Sequence, residues 1–66
     1  MKNINFGKNL RRIRRSEDIT KKTLSELIGV KAAAISSHEN NKSYLNLKII
    51  VKLAKIFNIS LDELIF

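Results

Sequence analysis

The chain has 66 residues, no Cys and a formal net charge of +7 at pH 7. Its length predicts a single domain over residues 1–66, and the lack of Cys excludes disulfides and thiolate metal sites. No segment approaches the roughly 18 apolar residues of a membrane span, and MKNINFGK has no apolar signal-peptide core, so we expect a cytoplasmic protein without a membrane partner. The charge predicts a polyanionic partner, DNA, RNA or an anionic membrane face, although excess lysine can also serve solubility alone.

The first predicted helix covers residues 6 to 16. Phe6, Leu10 and Ile13 follow an i, i+4, i+7 spacing, which predicts one buried stripe with the arginines of this segment facing solvent. The positive charge is concentrated here and at the start of the next segment, in Arg11, Arg12, Arg14, Arg15, Lys21 and Lys22.

Residues 20 to 39 predict two short helices joined by a turn. Thr20 is a suitable N-cap, Leu24, Leu27 and Ile28 have helical spacing, and Gly29 can adopt the left-handed conformation that ends a helix. A second helix follows from about residue 32 to 39. This arrangement is a helix-turn-helix unit, whose second helix can lie in the major groove of DNA.

The remaining residues also predict helices. Asn46 can cap a fourth helix, whose buried face is expected to hold Leu47, Ile50, Val51, Ala54 and Phe57. Ser60 and Glu63 form a capping-box pattern that opens a last helix over residues 61–65. The sequence therefore predicts an all-α fold of five helices with short loops.

Four segments resemble the phage repressor and Cro type of helix-turn-helix domain, the XRE family. Phe6 to Arg14 with Ile19 and Thr20 resembles its opening helix and "LT" start, and Leu24 to Val30 resembles "LAxxLGV". Ile35 to Lys42 resembles "ISxxENGK", and Leu53-Ala54 with Ile59 to Ile65 resembles "LAxxLxVSLDELL". The resemblance implies a compact, lambda-repressor-like DNA-binding domain, usually dimeric, in a regulator or Cro-like repressor that reads a pseudo-palindromic operator.

The resemblance also implies roles for single residues. Contacts to DNA phosphates are expected from Arg14, Thr20, Lys21, Asn40 and Lys42, with lysine at position 21 where the family usually has Gln. Asn40 fits a phosphate contact and a helix C-cap equally well, whereas the C-cap is favoured for Asn41. Arg14 and Glu39 are expected to form a partly buried ion pair that joins the first helix to the end of the third.

The positions that read base edges in this family correspond to Lys31, Ala32, Ala33, Ser36 and Ser37. Alanine cannot make the bidentate hydrogen bonds that identify G or A, although its methyl group can contact a thymine methyl. Sequence specificity is therefore expected to come from thymine contacts, water and DNA shape. The alternative is that the protein binds DNA with low sequence discrimination. A third possibility is that the third helix has lost its role on DNA.

No enzyme is expected. His38 lacks an aligned partner for a nucleophile pair and is interpreted as a partly packed imidazole. The carboxylates show no spacing suited to a metal site, and neither a cofactor nor a small-molecule effector is expected. The alternative to a DNA-binding regulator is a small protein-interaction or antitoxin-like module; a module that binds a membrane surface is less favoured.

Apolar residues beyond the expected core suggest a homodimer. Family members dimerise through the C-terminal end, and here a twofold-related copy could cover a patch formed by Leu45, Leu64, Ile65 and Phe66.

Overall fold

The computed structural model describes residues 4–43 and 46–66. Within them the chain forms five α-helices: α1 (Phe6–Ser16), α2 (Lys21–Ile28), α3 (Ala32–Glu39), α4 (Leu47–Phe57) and α5 (Leu61–Ile65). These described residues contain no β-strand. The predicted all-α fold with five helices is confirmed.

Three helices begin at side chains that cap their free backbone N–H groups. The Thr20 hydroxyl accepts a hydrogen bond from the N–H of Thr23 at 3.1 Å. Asn46 Oδ1 accepts from the N–H of Lys48 at 3.0 Å, and Ser60 Oγ accepts from that of Glu63 at 3.1 Å. Each cap satisfies a donor that the helix itself leaves unpaired, which explains why the helix starts could be read from the sequence.

The helix ends depend on residues that adopt a left-handed backbone. Gly29 closes α2 with φ of 75°, and open space surrounds the position where a Cβ would be. Asp18, Asn41 and Asn58 have φ between 54° and 56° just after α1, α3 and α4. Asn and Asp tolerate this conformation better than other residues with a side chain. Of the four left-handed positions among residues 4–43 and 46–66, only the one at Gly29 is therefore occupied by glycine.

All five helices contribute to one hydrophobic core, which consists of Phe6, Leu10, Ile13, Leu24, Ile28, Ile35, Ile50, Leu53, Ala54, Phe57 and Leu64. The predicted buried face of α4 needs a correction. Leu47 is 69% exposed and Val51 is only partly buried, whereas Leu53 is fully buried. The buried stripe of α4 therefore begins at Ile50, because Leu47 at the start of the helix lies outside the core.

The two ends of the described chain meet. The N–H of Asn5 donates to the carbonyl of Ile65 at 2.7 Å, and Asn9 Nδ2 donates to that of Leu64 at 3.1 Å. These bonds satisfy carbonyls at the end of α5, which α5 cannot pair itself. Helix α5 is thereby fixed against α1, and α1 in turn packs against α3.

Candidate nucleic-acid interface

The outer face of α3 carries the five residues that are expected, from the family resemblance, to read DNA bases. Lys31, Ala32 and Ala33 are exposed, and Ser36 and Ser37 are partly buried. Residues three and four apart share one side of a helix, so these positions form one continuous strip of surface. Ile35, His38 and Glu39 lie on the opposite side and are buried.

An ion pair fixes the end of α3 to α1. Arg14 Nε donates to Glu39 Oε2 at 2.6 Å, and Arg14 Nη2 donates to Glu39 Oε1 at 3.2 Å. The two side chains are 9% and 0% exposed. Arg14 Nη1 also donates to the carbonyl of Ile19 at 2.9 Å, which ties the loop before α2 to the same group. We call Arg14, Glu39 and their partner Arg11 the clamp.

The position of Arg14 changes two expectations. We expected the arginines of α1 to face solvent, yet Arg14 is buried because its guanidinium pairs with Glu39 inside the fold. We also expected Arg14 to contact a DNA phosphate. Its Nε, Nη1 and Nη2 all bond within the protein, so the geometry favours a structural role for Arg14 over a contact with DNA.

The sequence did not identify Arg11 as a member of the clamp. Arg11 Nε donates to Glu39 Oε1 at 3.3 Å, and Nη2 donates to Asn40 Oδ1 at 3.0 Å. Its side chain is 39% exposed, so one edge of this guanidinium still faces solvent. The available signal was spacing, because Arg11 precedes Arg14 by three residues and hence lies on the same face of α1.

The charges in the clamp favour an ionised Glu39. Burial alone would raise the pKa of this carboxyl group. The hydrogen bonds and positive charge of Arg14, with help from Arg11 and the charge of Lys21, outweigh burial and hold the pKa of Glu39 below its ordinary value. Glu39 is therefore a carboxylate at neutral pH, and the clamp holds one negative charge between the guanidinium groups of Arg11 and Arg14.

Gly7 allows α1 to approach the end of α3 closely enough for the clamp to form. A Cβ at this position would lie 2.5 Å from the carbonyl oxygen of His38, 2.8 Å from that of Glu39 and 2.7 Å from Asn41 Oδ1. Two of these atoms belong to the backbone and cannot rotate away. Any larger residue would push the two helices apart.

The turn after α3 holds two residues expected to contact phosphates. Asn40 occupies the C-cap, where Oδ1 accepts from Arg11 and Nδ2 donates to the carbonyl of Ser36 at 3.0 Å. Asn41 has the left-handed φ of 56°, and the N–H of Lys42 donates to the carbonyl of Ser37 at 2.8 Å. This is the Schellman pattern of helix ends. Asn41 thus supplies the left-handed residue that closes the helix, as favoured for it, although the C-cap position itself is held by Asn40. The Lys42 side chain is exposed.

Lys21, one of the expected phosphate contacts, directs its side chain towards α3. It is the first residue of α2 and is partly buried. Its Nζ donates to Ser36 Oγ at 3.0 Å, so the ammonium reaches the outer face of α3. The sequence could not reveal this bond because a lysine side chain is long enough to reach several partners.

His38 is more completely enclosed than expected. The residue is 4% exposed, and its ring meets that of Phe6 edge-on with 5.5 Å between the ring centroids. Burial lowers the pKa of His38, so the imidazole is neutral at pH 7. In the described part of the chain Nδ1 finds no hydrogen-bond partner. The residue packs the junction of α1 and α3.

The C-terminal patch expected at a dimer interface is smaller than predicted. Leu64 is fully buried in the core, because α5 packs against both α1 and α4, and it cannot contribute to a surface patch. Ile65 packs partly against the core, and Phe66 is 43% exposed. Leu45 lies outside the residues that the structure describes.

Other kinds of site were also sought among residues 4–43 and 46–66. They contain no group of three or more His, Asp or Glu side chains placed to hold a metal ion. None of their helices has both the length and the apolar character that crossing a membrane requires.

Residues 10–64 match the HTH_3 helix-turn-helix family. The chain is 32% identical over 60 residues to the HTH-type transcriptional activator BcrR of Enterococcus faecalis; the match covers 91% of this chain and 29% of the activator. The chain thus spans less than a third of the length of that relative.

Solved structures show the same fold. The restriction-modification controller protein C.AhdI from Aeromonas hydrophila has a TM-score of 0.83 and 30% identity, with 91% of each chain covered. The P22 c2 repressor in complex with a synthetic operator has a TM-score of 0.83 and 26% identity, covering 97% of this chain and 94% of the repressor. The match to the family model spans most of the sequence, and the chain therefore belongs to the HTH_3, or XRE, family of DNA-binding helix-turn-helix transcriptional regulators.

Proposed function

We propose that this chain binds double-stranded DNA as a homodimeric transcriptional regulator, a repressor or Cro-like protein, and reads a pseudo-palindromic operator through α3. The observation that carries the proposal is the contrast between the two faces of α3. The inner face is fixed by the clamp, and the outer face offers small or flexible side chains with nothing bulky between them. A P22 repressor of the same fold has been solved with an operator, which supports this assignment.

Small residues on α3 favour close contact with DNA. Ala32 and Ala33 are exposed and lie in the first turn of the helix, so the backbone can approach the floor of the major groove. Their methyl groups can pack against thymine methyl groups, the apolar feature of that groove. We therefore expect thymines at the positions that face Ala32 and Ala33.

Phosphate contacts on both flanks would set the position of α3. Thr20 lies at the start of α2, where free N–H groups favour an anion, and Asn40 and Lys42 lie beyond the end of α3. These contacts bind any sequence, and their strength falls as salt rises because binding releases counterions. A regulator of this kind would act in the cytoplasm, beside the DNA.

A selection experiment tests the proposal. The full chain is incubated with random double-stranded DNA at low salt, and bound fragments are amplified and sequenced. We expect enrichment of a pseudo-palindrome with half-sites about 10 base pairs apart, the spacing of successive major grooves on one side of the duplex. Failure to retain DNA at low salt, or retention without any enriched sequence, would contradict operator reading.

The dimer requires a separate test. We propose that Ile65 and Phe66, together with Leu45, meet their twofold-related copies. Phe66→Asp should then shift the chain from dimer to monomer in sedimentation at micromolar concentrations and weaken operator binding. Lys55→Asp, an acidic substitution at an exposed position of α4, serves as the control. A parent chain that is monomeric at hundreds of micromolar would exclude this dimer.

One observation favours a second candidate function. Four of the five residues on the outer face of α3 are Ala or Ser, which offer little for recognising a base by hydrogen bonds. The chain could therefore be a protein-interaction or antitoxin-like module built on the same scaffold. In that case the selection would retain no DNA, while the clamp would still be needed for folding.

A further inference from the structure

Lys21 directs its ammonium group towards α3. Nζ lies 3.0 Å from Ser36 Oγ, and the residue is partly buried between the two helices. From this position the charge of Lys21 also adds, after the larger effects of Arg14 and Arg11, to the lowering of the pKa of Glu39.

The hydroxyl of Ser36 has a distinctive role in this contact. The hydroxyls of Ser16 and Ser25 each donate to the carbonyl three residues earlier, at 2.8 Å and 2.6 Å, and so bond back to their own helices. Ser36 Oγ instead accepts the hydrogen bond from Lys21. Among the described residues the structure records no bond that this hydroxyl donates, so its O–H remains available to a ligand.

Lys21 and Ser36 together present hydrogen-bond donors and a positive charge. An ammonium group has three N–H donors, of which one is directed at Ser36, and the hydroxyl adds its own O–H. In the major groove guanine offers two neighbouring acceptors, N7 and O6, and no donor on that edge. Adenine pairs one acceptor with an amino donor, thymine offers one acceptor beside a methyl group, and cytosine offers a donor.

We propose that Lys21 and Ser36 act as one unit that reads the major-groove edge of a guanine in each half-site. Lys21 then determines specificity and does not serve as a general phosphate contact. The inference rests on the proposed function, since α3 must lie in the groove. Ala32 and Ala33 supply only apolar contacts, so this unit is a main polar determinant of the sequence that α3 reads.

The test compares the sites selected by the parent chain, Lys21→Met, Ser36→Ala and the matched control Lys22→Met. Met keeps the apolar stem of lysine without the charge, and Lys22 is the adjacent exposed residue of α2. We expect the parent to enrich guanine at one position of each half-site. Lys21→Met and Ser36→Ala should each lower that preference roughly tenfold, whereas Lys22→Met should weaken binding to all sequences and retain the preference.

A modified base supplies the second measurement. Replacing the selected guanine by 7-deazaguanine removes N7 and leaves the Watson–Crick face unchanged. Parent affinity should fall roughly tenfold, and the affinity of the variant carrying both Lys21→Met and Ser36→Ala should change little. Circular dichroism establishes that each variant remains folded.

Two outcomes would overturn this inference and leave the proposed function unaffected. One is a parent chain that selects a clear operator while Lys21→Met and Ser36→Ala select the same bases with the same strength. The other is a parent chain indifferent to 7-deazaguanine. A parent chain that enriches no sequence would instead overturn the proposed function itself, and the inference with it.

Discussion

The clamp should contribute more to stability than an ordinary surface ion pair. Arg14 and Glu39 are 9% and 0% exposed and share hydrogen bonds of 2.6 Å and 3.2 Å. Removing one member of such a pair leaves a charge in the interior without its partner, which costs about 3 kcal/mol, against about 0.5 kcal/mol for an exposed pair. We therefore expect Glu39→Met to lower the free energy of unfolding by about 3 kcal/mol.

The guanidinium group of Arg11 makes the two single substitutions differ in their effect on stability. After Arg14→Met, Glu39 still has Arg11 at 3.3 Å, whereas after Glu39→Met the buried Arg14 retains only the carbonyl of Ile19 as a partner among the described residues. Arg14→Met should thus be less destabilising than Glu39→Met. The double variant should be more stable than the sum of the single effects predicts, by at least about 1.5 kcal/mol.

Urea unfolding followed by circular dichroism measures these values. A chain of this size has roughly 3 to 10 kcal/mol of stability, so a change of about 3 kcal/mol is readily detected. Glu26→Met makes the same chemical change at an exposed position of α2 and should alter stability by less than about 0.5 kcal/mol. A coupling energy of zero within error, or equal effects at Glu26 and Glu39, would refute this reasoning.

Three further predictions follow from the junction of α1 and α3 and from the basic surface. Gly7→Ala should destabilise the fold by about 1 to 3 kcal/mol in thermal unfolding, although such a change in an open helix stabilises by about 1 kcal/mol; a gain here would contradict the close packing. Because burial lowers the pKa of His38, folding stability should fall as pH drops below about 6.5, by at most about 1.4 kcal/mol per pH unit. The carboxylate of Glu39, whose pKa is also lowered, should cause a further loss of folding stability only below about pH 4.5. His38→Leu should abolish the loss that begins near pH 6.5. If that loss persists in His38→Leu, it arises from another group. Lys42→Ala should reduce the slope of log affinity against log salt by roughly one per subunit, whereas an unchanged slope would remove Lys42 from the phosphate contacts.

The helices could be predicted because their limits are set locally. Thr20, Asn46 and Ser60 cap backbone N–H groups only two or three residues away, and Gly29 ends α2 through its own backbone conformation. Such interactions depend on neighbouring residues and not on tertiary packing, so short segments of sequence suffice to identify them.

The contacts between helices could not be predicted in the same way. Arg11 joins the clamp and Lys21 reaches Ser36 only because α1, α2 and α3 are brought within a side chain's length of one another. Leu47 and Leu64 show that periodicity does not predict burial by itself. Each fits the apolar spacing of its helix, yet Leu47 is exposed and Leu64 is fully buried. Periodicity identifies the face of a helix, but the position along the helix where the core ends depends on its neighbours.

The most direct test of DNA binding by α3 is a substitution on its outer face. Ala33→Glu places a carboxylate at an exposed position of the first turn and lowers the net charge by one unit, as does the control Lys55→Gln on α4. In titrations against the selected operator we expect Ala33→Glu to weaken binding by at least about 100-fold, because the carboxylate meets the negative potential of the groove, while Lys55→Gln has a small effect. Equal affinity of Ala33→Glu and the parent, with unchanged helicity by circular dichroism, would show that α3 does not lie in the groove.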